Sequence, residues 1–213
     1  MRIFVALDLT PEIRQRLECF VDGVENFAPE ARWVRPESLH VTLKFIGEKS
    51  LDSVEGIKQA LASVRANAVA LNVRGYGFFP TPKAPRVFWA GIESGPELGA
   101  LAKQIDEATA AVGVAREDHP YTPHLTLARA GSTGRDQRRN AKNAASTGTP
   151  HWQKGDGPNT RFAKLQEKLS SLPAPEFGTM TAREFFLYES QLLRDGSRYK
   201  KIGQFALDTL PQE

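Results

Sequence analysis

An α+β fold with a mainly antiparallel sheet is predicted by three features of the sequence. Strand-forming segments are interspersed with amphipathic helices along the whole chain. Asp195-Gly196 marks a hairpin turn near the C-terminus. A short pattern also occurs twice, as His40-Val41-Thr42-Leu43 and as His124-Leu125-Thr126-Leu127, both in strand-forming runs.

Residues 2–9 alternate as a half-buried first strand, and the acid and Pro11 that follow it are unlike a signal peptide. Thr10-Pro11-Glu12 then supplies an N-cap, a proline at the first helical position and an early acid. Ile13, Leu17, Phe20, Val21 and Val24 follow at helical spacing. Ala31 to Val34 reads as a short strand, and Leu39 to Ile46 as the strand carrying the first tetrapeptide. Leu51 to Arg65 is an amphipathic helix with Leu51, Val54, Ile57, Leu61 and Val64 on one stripe. Val69 to Phe79 is a long strand in which Gly75 and Gly77 indicate a bend or bulge. Arg86 to Ile92 is a strand, Glu97 to Val112 a helix, and the second tetrapeptide strand runs to about Ala130. A helix is expected over Phe162 to Leu169, a strand around Glu184 to Ser190, and a last strand from Tyr199 to Leu207.

Apolar residues make up 40% of the chain and charged residues 25%, as in ordinary soluble domains. No long apolar run offers a transmembrane helix. The single cysteine, Cys19, excludes an intrachain disulfide; its helical position predicts a buried thiol and a reducing, cytoplasmic location. The net charge is only +3. Residues Gly131 to Asn159 carry five basic side chains (Arg135, Arg138, Arg139, Lys142, Lys154) against Asp136 and Asp156, so this segment holds a net charge equal to that of the whole chain. It is rich in Gly, Ser, Thr, Asn and Ala. It reads as a long basic loop insertion, either an RNA-attracting flap or a solvated segment without a role.

On a strand, residues i and i+2 share a face. His40 and Thr42 therefore point one way and Val41 and Leu43 the other, and the second copy repeats this. Two such strands side by side offer two imidazoles and two hydroxyls to one cleft. Breaking a phosphodiester without a metal requires a base, an acid and donors for the phosphate oxygens. Histidine serves either proton role near neutrality, and threonine hydroxyls are short, stiff donors. Lys44 shares the cleft face if the strand stays regular, which makes it a phosphate-binding candidate; the alternative is a strand-end lysine in solvent. Arg129 has the opposite parity to His124 and Thr126 and reaches the cleft only if the strand ends or bulges first. A zinc site from His40, His119 and His124 would lack a Cys cluster, an HExxH motif or a nearby carboxylate, so the expected chemistry uses no metal and no cofactor.

The paired motifs resemble those of the two-histidine phosphoesterase superfamily. More closely, the chain resembles the RNA 2′,3′-cyclic phosphodiesterases, also called the 2′-5′ RNA ligase family. The likeness covers Arg2 to Leu7, His40 to Gly47, Gly77 to Pro80, Pro85 to Gly91, Pro123 to Arg129, and Tyr188-Glu189-Ser190 with Tyr199. It implies two pseudo-symmetric lobes, with mainly antiparallel sheets facing a central cleft and helices outside. It implies hydrolysis of a 2′,3′-cyclic phosphate at an RNA end to a 2′-phosphate. The expected partner is an RNA with such an end, tRNA fragments among the candidates, and the expected state is a monomer. By the same resemblance His40 donates a proton to the leaving 3′ oxygen, His124 accepts one from water, and Thr42, Thr126 and Arg129 bind the phosphate. Segment 131–159 looks longer than the family pattern. Ligation of 2′-5′ ends, cleavage of a small cyclic nucleotide or 2′-5′ oligonucleotide, and a non-catalytic RNA-end binding module are the competing readings.

Overall fold

The computed structural model describes residues 1–131, 160–193 and 196–208. Its strands form two antiparallel sheets. The first has the order β3-β1-β8-β9, made of β1 (Arg2–Leu7), β3 (Val41–Glu48), β8 (Glu184–Leu193) and β9 (Gly196–Ala206). The second has the order β2-β6-β5-β4-β7, made of β2 (Ala31–Trp33), β4 (Val69–Phe79), β5 (Val87–Ser94), β6 (His124–Ala130) and β7 (Glu176–Ala182). Each histidine motif belongs to a different sheet.

Among the described residues four α-helices cover the sheets: α1 (Pro11–Val24), α2 (Leu51–Ala62), α3 (Pro96–Ala110) and α4 (Ala163–Ser170). Their inward stripes, Ile13 and Leu17, Val54 and Leu61, Leu98 and Ile105, Leu165 and Leu169, join one hydrophobic cluster with the inner faces of both sheets. Burying such a side chain stabilises by roughly 1.5–3 kcal/mol, so this shared core ties the two sheets into one unit. The predicted α+β class is the observed one. Among the described residues no helix is long and apolar enough to cross a membrane.

Three expectations change. Cys19 is exposed, because α1 turns Ile13, Leu17 and Val24 inward and leaves Cys19 on the outer face. Thr10 holds the N-cap position of α1, but its side chain makes no capping hydrogen bond. Strand β7 is an addition to the expected elements: its alternation is weak (Phe177 and Ala182 buried, Thr179 and Thr181 exposed) and Gly178 sits at φ +116°. The hairpin is present: β8 and β9 pair from Glu184↔Ala206 to Leu193↔Gly196. Its Arg194 and Asp195 lie outside the described residues, as do residues 132–159 of the basic loop.

Candidate active site

Each motif histidine is held by a backbone carbonyl of the segment before it. Pro36–Ser38 forms a 3₁₀ turn, and the Ser38 carbonyl lies 2.7 Å from His40 Nδ1. In the second copy the Thr122 carbonyl lies 2.8 Å from His124 Nδ1. A carbonyl only accepts, so Nδ1 carries the proton in both rings and each neutral imidazole presents Nε2 as its free nitrogen. The two copies thus share a backbone device as well as a sequence: in each, the carbonyl two residues upstream selects the tautomer.

The burial sequence from each histidine is also the same. Residues 40–45 and 124–129 both run half-buried, buried, half-buried, buried, buried, half-buried. Two successive buried residues break strand alternation, and the pairing shows why. In β3, Val5 faces Lys44 but Ala6 faces Thr42, so Leu43 is an extra residue. In β6, Phe88 faces Ala128 but Trp89 faces Thr126, so Leu127 is an extra residue. A β-bulge therefore occupies the fourth position of both motifs, and each reverses the parity beyond it.

The reversal decides two residues. Arg129 returns to the face of His124 and Thr126, which regular alternation denied it. Lys44 moves to the opposite face. Its cross-strand neighbour Val5 is a core residue, its side chain is sealed from solvent, and its Nζ pairs with Asp106 Oδ1 and donates to the Ala115 carbonyl at 2.9 Å. The phosphate-binding expectation for Lys44 is therefore corrected, and so is its solvent-exposed alternative.

The first half of the cleft is aromatic. Phe4, Ala6, Phe186 and Tyr188 form a small cluster with Phe45 and Tyr199, separate from the main core. His40 lies over Phe4 at 4.7 Å and meets Tyr199 edge-on at 5.1 Å. In the second half Phe79 meets His124 edge-on at 4.9 Å, and Trp89 lies beside both. Gly77 is required here, because a Cβ at that position would strike the Trp89 indole.

Burial disfavours the charged imidazolium in both rings. It brings His40 down to about 4, with Arg129 and Arg14 acting in the same direction and the Ser38 carbonyl and Asp8 opposing. Burial also lowers His124, again assisted by Arg129 and opposed by the Thr122 carbonyl. Arg129 is itself lowered by burial, with Tyr199 opposing and Arg32 and Arg2 assisting. One guanidinium thus acts on both histidines, and Tyr199 of the first sheet acts on it in turn.

The two motif strands approach each other directly. Tyr121, three residues before His124, donates its hydroxyl proton to the Thr42 carbonyl at 3.0 Å. Beside His40 a cavity of about 250 Å³ is lined by Asp8, Arg14, Tyr188, Tyr199 and Lys201 among others. Arg14 donates to Asp8 at 2.6 Å and to the Pro36 and Leu39 carbonyls, which flank the Ser38 carbonyl used by His40. Asp8 is lowered despite a burial effect that raises it, because Lys201, the Leu9 amide and Arg14 outweigh that effect. His119 falls in a bend at the surface, and His151 lies outside the described residues.

The family model for LigT-like phosphoesterases matches residues 7–89 and 92–150. The chain belongs to the LigT-like phosphoesterase family. It is 30% identical over 205 residues to an RNA 2′,3′-cyclic phosphodiesterase of Archaeoglobus fulgidus, covering 96% of this chain and 99% of that protein. It is 26% identical to the Escherichia coli RNA 2′,3′-cyclic phosphodiesterase, covering 97% of this chain and 96% of that one. Among solved structures it resembles E. coli LigT complexed with 3′-AMP, with TM-score 0.70, 26% identity and 97% of each chain covered. As a LigT-like phosphoesterase the chain has its two motifs on facing sheets, which is the bilobal arrangement expected.

Sequence reasoning missed the residues that pack behind the two motifs: Arg14 and Asp8 beside the turn before His40, Tyr121 on the Thr42 carbonyl, and Asp106 on Lys44. The duplicated hydroxyl residue two positions upstream, Ser38 and Thr122, was a visible signal, but it is the backbone carbonyl that acts.

Proposed function

We propose that this LigT-like chain hydrolyses a 2′,3′-cyclic phosphate at an RNA end to a 2′-phosphomonoester, without a metal, using His40 and His124 as a proton donor–acceptor pair. His124 Nε2 takes a proton from the attacking water as the new P–O bond forms. His40 Nε2 delivers a proton to O3′ as the P–O3′ bond breaks. The Thr42 and Thr126 hydroxyls and the Arg129 guanidinium hold the non-bridging oxygens. The ring-opened product keeps the phosphate on O2′, and the protons are restored by exchange with solvent.

The observation that carries the reading is the duplicated construction: two imidazoles, each with Nδ1 committed to a carbonyl and Nε2 presented, with Arg129 acting on both. A binding module needs cations but has no use for a matched pair of tautomers. A depressed His40 also fits a donor that gains its proton only when a phosphate anion lies against it. The cytoplasmic location and monomeric state expected from the sequence are part of the same reading.

His40→Ala and His124→Ala should each lower kcat by about 10²–10⁴-fold while the circular dichroism spectrum is unchanged. Near-normal turnover by either variant refutes the proton assignment. Product analysis with a cyclic-phosphate-ended oligoribonucleotide and with a cyclic mononucleotide, each in excess EDTA, identifies the substrate class and the bond that breaks. Loss of activity in EDTA with recovery on adding one divalent metal would replace the metal-free mechanism.

A further inference from the structure

Among the described residues Lys44 is one of the large side chains that are fully buried, and it is charged. The equivalent position of the second motif is Ala128, also buried. The bulge therefore needs no cation there, and the lysine answers to something outside its own strand. Its partners identify what that is. Nζ meets Asp106 on α3 and the carbonyl of Ala115. The same Asp106 Oδ1 accepts the Glu117 amide at 3.1 Å. Ala115 and Glu117 belong to the connection from α3 to β6, which ends at Thr122, Pro123 and His124. Two residues upstream of Lys44 on β3, the Thr42 carbonyl accepts from Tyr121 on that same connection.

We propose that Lys44 is a positioning residue for His124: from the first motif strand it anchors the connection whose Thr122 carbonyl fixes the second histidine's tautomer and ring direction. The first motif thereby places the second, and the two proton-transfer groups are held at a set separation through a buried ion pair. Thr126 and Arg129 do not depend on this anchor. They lie inside β6, paired to β5 and in the case of Arg129 also to β2, whereas His124 is the first residue of the strand, its pair with Gly91 is the last of the ladder, and the anchored connection adjoins it directly. Releasing Lys44 therefore displaces the imidazole at the strand's start and leaves the phosphate-binding residues in place.

This inference rests on the acid–base reading of His124, and the test separates the two. In Lys44→Met the LigT-like chain should lose about tenfold or more in kcat on a cyclic-phosphate-ended oligoribonucleotide, with KM within about threefold of wild type, as expected when a reacting group shifts by a fraction of an ångström. The double variant Lys44→Met/Asp106→Leu replaces the buried pair with apolar side chains. It should regain thermal stability without regaining kcat, because the Ala115 carbonyl and the Glu117 amide still lack their tether. Independently of turnover, the imidazole ¹⁵N signals of His124 should move in both variants while those of His40 stay. Wild-type kcat in the double variant, a change confined to KM, or unmoved His124 signals overturns the proposal. An inactive wild-type protein refutes the catalytic reading alone, and the ¹⁵N shifts still decide the anchor.

Discussion

His40 enters two separable predictions, one on stability and one on the proposed turnover. Its imidazole titrates at about 4 in the folded chain against 6.5 when exposed. Between those values the unfolded chain binds a proton that the native chain does not, so stability is present above 6.5 and is lost as pH falls toward 4. His40→Gln should flatten the fall of Tm across that window. An unchanged Tm–pH profile would mean that the ring is not held neutral by burial. In the proposed turnover the same depression must be reversed, since the donor assigned to His40 there needs its proton. Binding of a 2′-phosphomonoester product should raise the His40 pKa, measured by NMR titration of the ring. A ring that titrates identically with and without product does not meet the phosphate. At Arg129 the matching expectation is a charge shared between two rings: Arg129→Gln should raise the pKa of both His40 and His124, because the guanidinium lowers both.

At the scale of elements, the turns and bulges make the site, and they are also where the sequence is least legible. The strands and helices are readable because apolar spacing reports which face is buried, and observed ends fall within a few residues of those expected: α2, for example, spans Leu51–Ala62 against an expected end at Arg65. The bulges are not readable, because an extra residue is defined by the partner strand. Nothing in Leu43-Lys44 or Leu127-Ala128 announces that Val5 and Phe88 will face the second of each pair. Parity alone therefore misplaces Lys44 and Arg129 together, and one structural cause corrects both. The turn before His40 invites a direct test. Arg14 donates to the carbonyls on either side of Ser38 and is held by Asp8. Arg14→Met should cost about 1–3 kcal/mol in denaturant unfolding, toward the low end because the pair is partly open to solvent. It should also lower kcat by loosening the Ser38 carbonyl. Loss of stability with wild-type kcat would show that the His40 turn holds its shape without Arg14.

Across the whole molecule, one core spans both sheets, whereas the surplus positive charge is confined to one segment of sequence. Residues 131–159 hold a net charge equal to the entire +3 of the chain, so the remaining residues are balanced. A cyclic phosphate at the end of an RNA brings upstream phosphates with it, and a balanced body has no surplus charge with which to attract them. If the segment does so, its basic residues add counterion release to RNA binding and nothing to the chemistry at the terminal ring. Replacing Arg135, Arg138, Arg139, Lys142 and Lys154 with Gln should then flatten the plot of log Kd against log salt concentration by about 0.7 for each RNA phosphate that is no longer neutralised, or about 3.5 if all five side chains touch phosphates. The measurement is fluorescence anisotropy of a labelled single-stranded RNA over a salt series. Turnover of a cyclic mononucleotide, which has no upstream phosphate, should be unaffected. An unchanged salt slope would reduce the segment to a solvated insertion, and loss of mononucleotide turnover would show that it reaches the histidines themselves.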